Sequence, residues 1–277
     1  MNAKTKSRWN IGIEVMMILL ALLFLSPFYF LLANSVKSFG EILSDAASWP
    51  QTFMWSNYVN AWKLARFSEA FRNSLIITII SVALISLFSA MAAYRMVRAN
   101  NRFNQILLLL MVAAMVVPFQ TIMIPILKVV NVLGVNNSFT GLIISHLGLS
   151  IPMAIFLFHG FIKSVPLEIE EAATVDGCNP ISAFFRIVLP LLRPMLMTII
   201  VLNALGIWND YLLPSLILQA PGLRTIPLAT FSFFGQYTKQ WDMALPALTI
   251  GIAPIVIFYL FMQRYIVEGI AAGSVKG

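Results

Sequence analysis

Long apolar runs alternate with short polar ones along the chain, and six of the runs have the length that crosses a bilayer. They lie at about 12–34, 73–94, 105–127, 140–162, 194–218 and 244–263. A helix rises about 1.5 Å per residue, so roughly 20 apolar residues traverse about 30 Å of hydrocarbon. Lipid offers the backbone no hydrogen-bonding partner, and each run must therefore satisfy its own amides as a helix. The pattern predicts an all-α integral membrane protein: one transmembrane domain over 1–277, with six spans, an N-terminal segment 1–11 and a C-terminal tail 264–277. The apolar stretch behind Lys4, Lys6 and Arg8 is longer than the core of a secretory signal, about 7–15 residues, and reads as a retained span.

Two of the runs are interrupted. The third reads MVVPFQTIMIPILK, where Pro118 and Pro125 would each remove a backbone hydrogen bond and bend the helix around Gln120. The fifth carries Asn203 and then WNDYLLP, from Trp208 to Pro214. An aspartate at membrane depth is costly unless it faces water or a partner, which makes Asp210 a candidate functional residue. A second reading stays open, in which Asn209 and Asp210 cap a helix end that Pro214 stops.

The polar stretch 163–193, between the fourth and fifth runs, is longer than most connectors between helices. Pro166 opens LEIEEAATVDG, with Glu168, Glu170 and Glu171 near the positive end of a helix dipole and Gly177 suited to a left-handed stop. Asn179 and Pro180 then form an N-cap and first helical position. Ile181, Phe184, Phe185, Val188 and Leu192 follow one helical face, and Pro190 and Pro194 should end it. The expectation is two short helices around a tight turn, with Ala172 and Ala173 leaving the first helix thin on one side. The acids read as helix-start and docking charges. Docking of another protein, an interfacial helix dipping its phenylalanines into lipid, and a connector are the three readings.

Composition settles the solvent. The chain is 60% hydrophobic and 10% charged, with a mean hydropathy of +0.87, against about 45–50% and ~25% for soluble domains. The net charge of +7 does not indicate nucleic acid, because the cations are scattered between apolar runs instead of forming a basic patch with interleaved aromatics. Eleven of the 18 Lys and Arg fall on one side if the spans alternate, which places both termini and the 163–193 loop in the cytoplasm. On the other side, Trp49, Trp55 and Trp62 suit the membrane boundary. The single cysteine, Cys178, excludes an intrachain disulfide. No Cys/His cluster marks a metal site, and His146 and His159 read as bundle-interior or interfacial residues.

Glu171-Ala172-Ala173, then Gly177, then Ile187-Val188-Leu189-Pro190 resembles the EAA loop of ABC importer permeases, E-A-A-x3-G-x9-I-x-L-P, at every fixed position. PFQTIMIP, LGVNNS, WNDYLLP and the terminal QRYIVEGIAAGSVKG are similar to the carbohydrate-uptake branch, specifically its smaller permease subunit, as in maltose importers. The resemblance implies a multi-pass permease in the cell membrane of a prokaryote, embedded in lipid, and importing a sugar or oligosaccharide. Its implied partners are a second related permease, two copies of a cytoplasmic ATPase and an extracellular solute-binding protein. Glu171, Ala172, Ala173 and Gly177 would form the joint with the ATPase, and Ile187, Leu189 and Pro190 would brace it. The 269–277 tail would lie near the ATPase, and loop 219–243 would reach toward the binding protein. Gln120, Asn203, Trp208, Asn209, Asp210 and Tyr211 are candidates for the substrate path.

The chain has no G-x-x-x-x-G-K-[ST] phosphate loop, so ATP and magnesium belong to the partner ATPase and no cofactor is expected here. An intramembrane enzyme would need a nucleophile–base pair or paired acids, and Asp210 has no second acid beside it. An ion-gradient-driven carrier and a permease for a non-sugar solute remain the alternatives.

Overall fold

The computed structural model describes residues 3–235 and 240–274, with side chains for 11–235 and 240–264. The 275–277 end of the predicted tail lies outside the described residues, as do the side chains of most of that tail. The described helices are α1 (Ala3–Ser35), α2 (Phe39–Ser44), α3 (Ser56–Leu64), α4 (Phe67–Arg98), α5 (Arg102–Met115), α6 (Phe119–Val132), α7 (Phe139–Ile162), α8 (Leu167–Val175), α9 (Pro180–Leu191), α10 (Arg193–Asn209), α11 (Leu212–Ile217), α12 (Ile226–Phe231) and α13 (Trp241–Ser274).

Four segments are long and apolar enough to cross a membrane: Ile11–Ser35 of α1, α4, α7, and Trp241–Arg264 of α13. Two helix pairs qualify only together. The pair α5 and α6 is bent by 111°, and α9 and α10 by 76°. The stretch expected as one span at 105–127 is thus two helices, and its break falls at Val116–Pro118. Pro118 lacks an N–H and disfavours helical geometry in the residue before it, so α5 stops and α6 starts afresh. Pro125 lies inside α6 without ending it. The run at 194–218 also divides, because Asp210 is extended at φ −69°, ψ 123° between α10 and α11.

Packing divides the chain into two compact units. One comprises the chain up to Phe67 together with Ala229–Ala253. Its α1 exposes nearly every apolar side chain from Ile11 to Phe30, as expected of a helix solvated by lipid. The segment after α1 is tightly tied. Lys37 is fully buried, and its Nζ donates to the Asp45 carbonyl at 3.0 Å and the Ser48 hydroxyl at 3.3 Å. Asn57 Nδ2 donates to the Lys37 carbonyl at 2.8 Å, fixing the start of α3 to the end of α1. Tyr29, Trp49, Phe53, Trp55 and Tyr58 run ring to ring at 6.0–6.4 Å.

The second unit comprises Ser68–Leu228 and the chain from Pro254. Its core joins Ile77 and Ile85 of α4, Ile155 and Phe158 of α7, Val188 of α9, Ile199 of α10 and Ile217 of α11. Small residues let the helices approach closely: Ser81, Ser89, Ala90 and Ala93 of α4 are fully buried.

Candidate functional site

The loop between α7 and α10 is built from two capped helices. Pro166 precedes α8, and Glu168 and Glu170 occupy its first turn. At the other end Gly177 takes φ +84°. Its N–H reaches the Thr174 carbonyl at 3.0 Å, and the Cys178 N–H reaches the Ala173 carbonyl at 2.9 Å. These are the two bonds of a Schellman stop, which requires a residue tolerant of the left-handed region. One residue later Asn179 Oδ1 accepts from Ser182 N at 2.8 Å with Pro180 following, and α9 begins.

The three acids expected to act together are separated by the fold. Glu168 and Glu171 are exposed, whereas Glu170 is buried. The Glu170 carboxylate accepts from Tyr94 OH at 2.7 Å and from Arg98 Nε at 2.9 Å and Nη2 at 2.5 Å. Arg98 Nη2 also donates to the Val165 carbonyl at 3.1 Å. Glu170 is therefore not a docking charge; it is the tie that fastens α8 to α4. Tyr94 and Arg98 are one helical turn apart and so lie on the same face, where one carboxylate reaches both. The Tyr94 ring also meets Phe184 at 5.1 Å, so the same side chain touches both loop helices.

The apolar face of α9 is not the α-helical one expected. Phe184–Val188 forms a π turn, whose extra residue shifts the phase of everything after it. Ala183, Phe184, Val188 and Leu192 are buried, while Ile181 at 72% and Phe185 at 43% are exposed. Glu171, Ala172 and Gly177 are exposed, with Val175 beside them, whereas Ala173 is buried. Ile187 and Leu189 are half-buried, and Pro190 is exposed.

The polar residues of the fifth apolar run separate in the same way. Asp210 Oδ1 accepts from Leu212 N at 3.0 Å and Leu213 N at 3.3 Å, capping α11. Its Oδ2 stands 4.0 Å from His146 Nε2 on α7. Asp210, Asn203 and His146 line one cavity of about 440 Å³ between α7 and α10. Trp208 lines a different, apolar cavity and packs edge-on against Phe71 at 5.8 Å. Asn209 is exposed and donates to the Leu205 carbonyl. Gln120 is exposed in the first turn of α6, and neither it nor the half-buried Tyr211 lines the His146–Asp210 cavity. His146 is buried, as a bundle-interior reading expects, but sequence reasoning did not bring it beside Asp210, nor did it foresee the tie of Arg98 to a partner 72 residues away.

Apolar helices of spanning length that present a capped two-helix loop define a polytopic membrane protein with a rigid polar element. Residues 85–271 match the family described as the inner membrane component of binding-protein-dependent transport systems. The chain belongs to this family and is a membrane-embedded permease subunit rather than an enzyme. It is 43% identical, over 94% of both chains, to the probable starch degradation products transport system permease protein AmyC of Thermoanaerobacterium thermosulfurigenes. It is 33% identical, over 91% of both chains, to the melibiose/raffinose/stachyose import permease protein MelC of Bacillus subtilis. Its fold is similar to that in the crystal structure of a bacterial ABC transporter involved in import of the acidic polysaccharide alginate. There the TM-score is 0.84 at 20% identity, covering 96% of this chain and 99% of that one.

Proposed function

We propose that the chain imports a sugar or oligosaccharide as one of two related permeases, driven by a cytoplasmic ATPase dimer and supplied by an extracellular solute-binding protein. Both termini and the α8–α9 loop face the cytoplasm of a prokaryotic cell, in keeping with the distribution of Lys and Arg. ATP and magnesium are bound by the ATPase. The substrates named for the similar permeases, starch degradation products for one and melibiose, raffinose and stachyose for the other, support the solute class.

The observation that carries this reading is the division of labour in EEAA, residues 170–173. Glu170 locks α8 onto α4 from below, and Glu171 and Ala172 remain presented outward beside the Gly177 stop. The exposed carboxylate offers hydrogen bonds to the ATPase, and Ala172 lets its backbone approach closely. Gly177 makes the turn, while Ile187, Leu189 and Pro190 brace α9. Because α8 is tied to α4, a push on the loop by the closing ATPase moves a spanning helix and not a flexible connector.

Co-expression with the neighbouring permease, ATPase and binding protein tests the reading. A complex that co-purifies and takes up maltotriose or raffinose into proteoliposomes only with ATP inside the ATPase compartment is the expected result. Uptake by this chain alone, driven by an ion gradient, overturns it. Within that complex, Glu171→Lys is expected to weaken ATPase co-purification while the chain still inserts in the membrane.

A further inference from the structure

The cavity between α7 and α10 holds a buried polar atom for which the protein supplies no partner. His146 is 4% exposed, yet its Nε2 makes no hydrogen bond. The nearest acceptor, Asp210 Oδ2, is at 4.0 Å, beyond the reach of an N–H···O bond, about 2.7–3.2 Å. Buried polar groups are almost always satisfied, because an unpaired one costs about 1–3 kcal/mol. The imidazole and the carboxylate thus line one cavity without bonding to each other.

The chemistry of the two atoms selects the occupant. A carboxylate oxygen accepts only, and an imidazole nitrogen donates or accepts according to its proton, so the group that serves both is a hydroxyl, which donates and accepts on one oxygen. An anion is opposed by Asp210. A metal ion finds too few ligands, since the described residues contain no cluster of three His, Cys, Asp or Glu side chains. A single water fills only a small part of this cavity of about 440 Å³, whose volume lies within the range of small-molecule pockets, roughly 300–1,000 Å³. Ser150 and Asn203 add two further polar groups to the lining, and Leu149 and Met153 add aliphatic wall. That mixture matches a sugar ring, with hydroxyls at its edge and C–H faces.

We propose that His146 and Asp210 form a sugar-hydroxyl subsite on the solute's path through this chain, with Asn203 and Ser150 as flanking contacts. The subsite rests on the importer reading above. A ring hydroxyl donates to Asp210 Oδ2 and accepts from or donates to His146 Nε2, while Asp210 Oδ1 stays engaged with α11. The α7–α10 interface and the cap of α11 thus hold the two groups at a separation that one oxygen bridges.

The test uses the complete transporter in proteoliposomes, with radiolabelled maltotriose and raffinose as probes. Asp210→Asn and His146→Leu are each expected to raise the KM for uptake about tenfold, the equivalent of one lost hydrogen bond to a charged or buried group. His146→Gln, which restores a donor and an acceptor, is expected to recover most of the loss. Gly206 also lines the cavity, and a Cβ added there meets no atom within 4 Å. Gly206→Leu therefore starts from open space and extends into the cavity, and it is expected to abolish uptake while the complex still co-purifies. It decides the matter if the other variants fail to assemble. Wild-type KM values in all assembled variants overturn the subsite alone. Failure of the wild-type complex to take up either sugar overturns the importer reading, and the subsite with it.

Discussion

Replacing Glu170 by alanine removes one side of a mostly buried ion pair and leaves the Arg98 guanidinium without its carboxylate. Breaking such a pair from one side costs about 3–5 kcal/mol, because the remaining charge stays desolvated and uncompensated. The side chains of Arg98 and Glu170 are 19% and 9% exposed, so water relieves part of this and about 3 kcal/mol is the appropriate figure. The Tyr94 hydroxyl loses its acceptor as well. At 1.4 kcal/mol per decade, opening of the loop becomes roughly a hundredfold more frequent.

Hydrogen exchange reads that opening directly. The reporters are the two amides of the helix stop, Gly177 N–H and Cys178 N–H, which are bonded only within the loop. In purified complex without nucleotide, peptides covering 167–178 are expected to exchange about a hundredfold faster in Glu170→Ala than in the native chain. Glu171→Ala is expected to leave exchange unchanged, since Glu171 is exposed. The double variant Arg98→Met/Glu170→Leu should return exchange toward the native rate, because apolar side chains of similar volume remove the charge and its penalty together. Exchange in Glu170→Ala within about threefold of native would refute the tie between α8 and α4.

Three further outcomes follow from single residues. Gly177→Ala places a Cβ in open space at φ +84°, so only backbone strain of about 1–2 kcal/mol is expected; Gly177→Pro also loses the bond to Thr174 and should cost more, and thermal unfolding of the complex ranks the two. Gly141→Ala puts a Cβ 2.3 Å from the Val135 carbonyl oxygen; the turn must move, and a loss of about 1–3 kcal/mol should appear as reduced yield in size-exclusion chromatography. Lys37→Met strands the Asp45 carbonyl at a cost of about 1–3 kcal/mol, and faster chymotryptic cleavage at the exposed Trp49 and Trp55 is the expected sign.

Features of this fold that were legible in the sequence are those with a local cause. Asn179-Pro180 starts a helix and Gly177 stops one, because caps and left-handed turns depend on a residue and its immediate neighbours. Apolar length announces spanning helices for the same reason. What the sequence concealed needs partners far apart in the chain, or a change of phase within a helix. Glu170 resembled its exposed neighbours until Tyr94 and Arg98 came beside it. The π turn at Phe184–Val188 has no marker in residue types, and the burial of Phe184 but not Phe185 was not legible either. Pro118 signalled an interruption, but proline alone does not distinguish a kink from the 111° reversal of direction that the structure contains.

Helix α4 carries polar attachments near both of its ends. Near its start, Asn73 Nδ2 donates to the carbonyls of Gly222 and Arg224 at 2.9 and 3.0 Å, and Ser74 Oγ accepts from Ile226 N at 2.9 Å. Near its end, Tyr94 and Arg98 hold the loop. Between Asn73 and Tyr94 lies about 30 Å of uninterrupted helix, the thickness of the hydrocarbon layer. Both attachments are multidentate, and the shaft between them carries small buried residues and lines one wall of the apolar cavity that Trp208 shares. A displacement of α8 can be absorbed at the loop only by breaking the Glu170 contacts, at about 3 kcal/mol. Under the proposed importer reading, a smaller load applied at Glu171 would be carried along the shaft to the 222–226 segment. A helix attached by two polar side chains at each end is what the proposed coupling requires of this chain.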